Sequence, residues 1–303
     1  MRIALPIAEL VLGLVLAPLL PGVINRTKAW FSGRTGPPLL QSYYEIAKLL
    51  RKGAVYSTTT GGVFRAGPSV ALAATVAALA LAPRGGAAAP WAFPGDLVLF
   101  AGFLGVARLA LVLAALDTGS AFEGMGASRE VQFAALAEPA LYLGLGALAA
   151  ATHATSLGTI YEALGTATLG RLGPVLLLVA GAFLVVYLAE NARVPVDDPN
   201  THLELTMIHE VMVLDHSGPD LAFVHYGAAL KLWTLGLLVV GLVPYRASGA
   251  LLAGLVPIVA LFLLAVLVGA IESGMARLRL ARVPQLLAAA IAFAGLAVLL
   301  VVR

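Results

Sequence analysis

Apolar positions in this chain gather into long runs, and short polar stretches divide them. Eight windows hold the roughly 20 mostly apolar residues that a helix needs to cross a hydrocarbon core. They lie at about 3–24, 67–83, 95–116, 131–152, 172–190, 222–243, 249–271 and 284–302. Lipid offers no partner for a bare peptide group, so each window is predicted to be a helix. The polar stretches fall at about 25–66, 117–130, 191–221 and 272–283. The pattern therefore reads as one all-α polytopic membrane domain over 1–303.

Two polar stretches carry structure of their own. In "PPLLQSYYEIAKLLRK", Leu39, Leu40, Tyr43, Ile46, Ala47 and Leu50 share one helical face, and the charged residues take the others. This predicts an amphipathic helix lying in the membrane interface, with its basic residues toward headgroups. In "ENARVPVDDPNTHLELTMIHE", Pro195 and Pro199 predict extended backbone, and Thr201 with Glu204 forms a capping-box pattern. A helix is expected from there through Asp215, ending at "SGPD".

Composition then narrows the class. The chain is 60% hydrophobic and 12% charged, where soluble domains carry about 25% charged residues. With no cysteine, disulfides, thiolate zinc sites and cysteine-held iron–sulfur clusters are excluded, so any redox cluster belongs to a partner. The net charge of +3 fits basic loops rather than a nucleic-acid surface, and no nucleic-acid partner is expected. The N-terminal run is too long for a signal-peptide core and is read as the first span. If the stretch after it lies inside, twelve Lys and Arg residues fall on that side and five on the other, with Arg108 and Lys231 within spans. The positive-inside rule then places both termini outside and the four polar stretches in the cytoplasm.

The acids are the candidate chemistry. Glu138 sits inside the fourth window, Glu130 eight residues before it on the same helical face, and Glu190 ends the fifth window. Asp197, Glu204, Glu210 and Asp215 follow in the third polar stretch. An ionised carboxylate in hydrocarbon costs several kcal/mol unless it is paired, hydrated or protonated. A series of such groups near one membrane face is what a proton path needs. A purely structural role would instead pair Glu190 with Arg193, and Glu138 with Arg108 or Lys231. Glu9 and Glu272, near window ends, are expected to be interfacial. His202, His209 and His216 recur every seven residues, about 10 Å apart along a helix, too far to share one metal ion. No metal site, nucleotide loop or nucleophile–base pair is visible, so no catalytic centre is expected in this chain.

The stretch "LAENARVPVDDPNTHLELTMIHEVMVLDHSG" resembles the signature loop of the complex I subunit 1 family, and "THLELTMIHE" resembles its hydrogenase branch. "RTGPPLLQSYYEIAKLL" and "ALDTGSAFEGMGASREVQFAALAEPAL" are similar to the family's other two loops, in the same order. The resemblance implies a membrane-anchoring, proton-coupling subunit of a formate hydrogenlyase or hydrogenase-4 type complex in the inner membrane, without a catalytic role of its own. Expected partners are hydrogenase large and small (iron–sulfur) subunits on the cytoplasmic side, antiporter-like membrane subunits, and the bilayer. The nickel–iron centre and iron–sulfur clusters would lie in those partners. The proton path it implies is Glu130, Glu138, Glu190, Asp197, Glu204, Glu210 and Asp215, and Arg129 and Arg193 would order the loops. Where relatives have Glu-Tyr-Ser-Gly, this chain has Asp215-His216-Ser217-Gly218, which leaves the role of His216 open. Two other readings remain: a quinone-binding subunit of a complex I-like NADH or ferredoxin dehydrogenase, and a stand-alone ion channel or carrier. A deep amphiphile cavity between the first span and the interfacial helix would favour the quinone reading.

Overall fold

The computed structural model describes residues 4–83, 91–166, 169–197, 207–245 and 250–303. Its helices are α1 (Ala4–Leu16), α2 (Leu19–Phe31), α3 (Gln41–Leu50), α4 (Gly62–Leu81), α5 (Asp96–Asp117), α6 (Ala121–Thr152), α7 (Leu157–Thr166), α8 (Leu169–Glu190), α9 (Gly218–Val240), α10 (Ala250–Gly274) and α11 (Val283–Val302). Among the described residues there is no strand. Among the described residues, seven helices (α4, α5, α6, α8, α9, α10 and α11) supply membrane-length apolar segments, and the bent pair α1–α2, counted as one broken span, brings the number to eight. Buried Leu145 and Leu148 of α6, Tyr187 of α8, Leu79 of α4 and Phe100 of α5 belong to one continuous apolar core.

The first span departs from its window. It breaks after Leu16, turns by 45° and continues to Phe31. Pro18 has no N–H, so the Leu14 carbonyl four residues earlier loses its helical donor. The Tyr226 hydroxyl of α9 donates to that carbonyl at 2.8 Å, and the Tyr43 hydroxyl of α3 donates to the next one, on Val15. Two tyrosines thus stand in for missing backbone donors and fasten α3 and α9 to the break. The amphipathic α3 forms where its periodicity predicts it, and none of its residues is fully buried.

The second polar stretch is mostly helix. With 32 residues, α6 is about 48 Å long at 1.5 Å per residue, more than a hydrocarbon core of about 30 Å requires. Two aspartates serve helix starts. The Asp117 carboxylate accepts the N–H groups of Gly61 (2.6 Å) and Phe64 (3.1 Å) at the head of α4. The fully buried Asp96 accepts from the Ser156 hydroxyl and the Leu157 N–H, both at 2.7 Å, where α7 begins.

The third polar stretch corrects two expectations. Backbone at Pro195 turns rather than extends: the N–H groups of Val196 and Asp197 donate to the Arg193 carbonyl at 2.9 and 3.2 Å. The helix expected to reach Asp215 is not continuous, because residues 207–209 are non-helical and only a single 3-10 turn, Glu210–Val213, follows. Tertiary partners have taken the groups a helix would need. The Asp197 carboxylate accepts the N–H groups of Ile208 and His209 at 3.3 and 3.4 Å, and Arg129 donates to the Met207 carbonyl at 3.0 Å. Thr201, His202 and Glu204, with the predicted capping box, lie outside the described residues.

Candidate functional site

Arg108, inside α5, is the centre of the site. Its guanidinium meets three carboxylates: Glu190 of α8 at 2.6 Å, Glu130 of α6 at 3.3 Å, and Glu138, two helical turns further along α6. The eight-residue spacing of Glu130 and Glu138 brings both to this one cation. A planar guanidinium with five fixed donors suits such a junction, which a lysine ammonium could not span. Glu190 also takes Lys231 of α9 at 2.7 Å. The side chains of Arg108, Glu130 and Glu190 are nearly enclosed, whereas that of Glu138 is 42% exposed. The cluster thus opens onto the outer face of α6.

The other side of the cluster runs into the third polar stretch. His209 bridges Glu130 (Nε2, 3.1 Å) and Asp197 (Nδ1, 3.4 Å), and Asp197 also pairs with Arg277 at 2.9 Å. Burial alone would lower the His209 imidazole, but the carboxylates of Glu130 and Asp197 outweigh it and push its pKa up to about 10. A charged imidazolium also balances the group. Glu130, Glu138, Glu190 and Asp197 are four carboxylates, while Arg108, Lys231 and Arg277 supply three permanent cations. The turn that carries His209 packs directly on α6, where any side chain at Gly126 would run into Val211 and the Ile208 carbonyl.

The remaining predicted residues are placed as follows. Glu210 lines the same cavity as Arg108. Asp215 stands apart and exposed, and its N–H donates to Glu123 at 3.1 Å. Arg193 does not meet Glu190. It faces Glu272 at 3.6 Å, and Glu272 also holds Lys28 at 2.8 Å. Glu272, whose side chain is enclosed, is therefore a member of a second charge cluster. His216 is buried, and its ring stacks on Phe64 with centroids 4.0 Å apart and planes 9° from parallel. Burial lowers its pKa, opposed by Asp220 and Asp215. Sequence reasoning left His209, Arg277 and Glu272 out of the site. His209 carried a signal, a polar residue in the apolar run "TMIHEVMV". Arg277 had none that set it apart from its basic neighbours.

A cavity of about 350 Å³ connects these elements. Pro21 and Asn25 of α2, Ser42 and Ile46 of α3, and His225 of α9 line one part, while Arg108, Glu130, Glu190, His209 and Lys231 line another. It is large and polar enough at the charged end to hold water. Among the described residues, no group of three or more His, Asp or Glu side chains is placed to hold a metal ion.

Comparison with known proteins agrees with the fold. A family model for NADH dehydrogenase matches residues 3–303. Formate hydrogenlyase subunit 4 of Escherichia coli (strain K12) is 30% identical over 304 aligned residues, covering 98% of each chain. Hydrogenase-4 component C of the same organism is 33% identical over 278 residues, covering 91% of this chain and 87% of the relative. A chain of the membrane-bound sulfane sulfur reductase, an archaeal respiratory membrane complex, shares the fold, with a TM-score of 0.83 at 18% identity over 99% of both chains.

Proposed function

The chain belongs to the NADH dehydrogenase family as a multi-pass membrane subunit of the hydrogenase and complex I-like kind, and from that premise we propose that it couples proton movement to a cytoplasmic electron-transfer arm in a formate hydrogenlyase or hydrogenase-4-like complex. In this reading the polar end carrying α3 and residues 191–197 and 207–217 faces the cytoplasm and docks hydrogenase large and iron–sulfur subunits. These hold the nickel–iron centre and the clusters. The opposite end carries both termini, in the inner membrane, and the outer face of α6 meets an antiporter-like membrane subunit.

The observation that carries the proposal is the shared cation network. Here Arg108 serves Glu130, Glu138 and Glu190 together, so a proton gained at one alters the field at the others. Protons pass between carboxylates and water in the cavity, while Arg108 and Lys231 hold the acids in place. His209 links this group to the loop that would face the redox partner. A shift of that loop carries His209 away from Glu130 and leaves Arg108 and Lys231 as the cations acting on it. Glu138, half-exposed within a span, is the exit toward the neighbouring membrane subunit. Glu210 lies at the cavity wall, and Glu204 and Asp215 belong to the cytoplasmic approach.

Glu138→Gln tests the reading. The assembled complex should keep its electron transfer and lose most of its coupled proton transport, measured as a pH change across proteoliposomes. Full coupling in that variant removes Glu138 from the path.

One observation favours a second reading, in which the subunit binds a quinone. The cavity lies between the first span and the interfacial helix, and its volume is in the range of small-molecule sites. Nickel and iron in the purified complex, with hydrogen evolution unaffected by quinone removal, would favour the hydrogenase reading. Quinone-dependent turnover without nickel would favour the other.

A further inference from the structure

A second feature of the charged end lies outside the Arg108 network. Arg26 and Arg34 are exposed, and among the described residues neither has an ion pair or a side-chain hydrogen bond. Lys28, between them in sequence, turns the other way, onto Glu272. The end of α2 explains the placement. Gly33 takes φ +65°, its N–H donates to the Trp30 carbonyl at 3.0 Å, and the Arg34 N–H donates to the Ala29 carbonyl at 2.8 Å. This pair of reversed bonds is a Schellman cap, which folds the chain back over the last helical turn. Arg34 therefore joins Arg26 in lining one groove, with Trp30 and Phe31 of α2 and with Val266 and Ala270 of α10.

The groove has one sign of charge and one kind of floor. No acidic residue lines it. Trp30 and Phe31 meet edge to face, with centroids 5.1 Å apart, and both are exposed. The floor continues into the outward apolar surface of α10, where Leu263 and Leu267 are exposed. A Trp beside basic residues at the end of a span marks the depth where headgroups meet acyl chains. Guanidinium groups pair with phosphate by parallel hydrogen bonds.

We infer that this groove binds an anionic phospholipid, with its phosphate on Arg26 and Arg34 and one acyl chain along Val266, Ala270 and the two aromatic rings. A soluble anion would use the arginines and leave the apolar floor unoccupied, and a protein partner would need acids to meet them.

The test places a photoreactive phenylalanine analogue at Phe31 in the intact complex, in vesicles of equal phosphatidylglycerol and phosphatidylcholine. Mass spectrometry then identifies what is captured. The expected adduct is mainly phosphatidylglycerol. Arg26→Gln with Arg34→Gln should bring the two lipids toward parity, at about fivefold in preference per arginine. Arg26→Lys with Arg34→Lys should keep most of it. If the double glutamine variant fails to assemble, each single variant should show an intermediate preference. Equal capture of both lipids by the native pair would overturn the inference, as would an undiminished preference in the glutamine variants. A protein adduct in place of a lipid would do the same, and so would loss of the preference on adding inorganic phosphate at constant ionic strength.

Discussion

At the residue scale, Arg108 and His209 hold the site in different ways. Arg108→Leu would leave Glu138 without its cation and take one cation each from the enclosed Glu130 and Glu190, which keep His209 and Lys231. Breaking a buried ion pair from one side costs about 3–5 kcal/mol. The variant should therefore show a large drop in thermal unfolding temperature in detergent or fail to assemble, and Arg108→Lys should recover only part of the loss, because a point charge cannot serve three acids. His209 adds a pH dependence whose sign follows from its raised pKa. The unfolded imidazole titrates near 6.5 and the folded one at about 10. Protonation is thus favoured in the fold, and the stabilisation is complete below about pH 6.5 and is lost as pH rises toward 10. Amide exchange over residues 207–213, corrected for intrinsic base catalysis, should quicken across that window. His209→Gln should exchange fast throughout and flatten the profile. Part of this site was legible in the sequence. Helical spacing alone puts Glu130 and Glu138 on one face, and mid-span Arg108 had to find an acid. The Glu190–Lys231 and Asp197–Arg277 pairs were not, because the first joins two helices whose rotation about their axes no local pattern specifies, and the second joins two non-helical stretches far apart in the chain.

At the scale of elements, the spans were legible because length and hydropathy are one-dimensional quantities and lipid enforces helix. What escaped the sequence reading depends on partners far along the chain. The break at Pro18 persists because Tyr226 and Tyr43 supply the missing donors from α9 and α3. The stretch 207–213 fails to form a full helix because Asp197 and Arg129 have already engaged its peptide groups. Neither set of partners can be named before the bundle is assembled. Tyr226→Phe isolates one of them. The lost bond leaves the Leu14 carbonyl without its donor while the ring keeps its packing, and a net cost of about 1 kcal/mol is expected. Because α3 is fastened to the same break through Tyr43, the loss should appear as faster hydrogen exchange and proteolysis around residues 17–19 and in α3, with the far end of the bundle unchanged. An unaltered exchange pattern would mean that the break needs no donor from α9.

At the scale of the whole molecule, the question is what covers the open end of the charge network. On α6, Val131, Glu138 and Tyr142 stand seven and four residues apart and so share a face, and Val131 and Tyr142 are 52% and 40% exposed. Lipid could cover the apolar pair but not the carboxylate, whose exposure to hydrocarbon is costly even with Arg108 beside it. Under the proposed coupling role, a polar or titratable group from another membrane subunit would remove that cost and give the proton somewhere to go. The chain has no cysteine, so Tyr142→Cys creates one reporter on this face without a background from the chain itself. A membrane-permeant maleimide should label it readily in the chain alone and about tenfold or more slowly in the assembled complex, a reduction equivalent to at least 1.4 kcal/mol of protection. Leu263→Cys on the outward face of α10 controls for general crowding and should label at similar rates in both. Equal labelling of Tyr142→Cys in both states would leave Glu138 facing lipid, and a proton arriving there would have no acceptor.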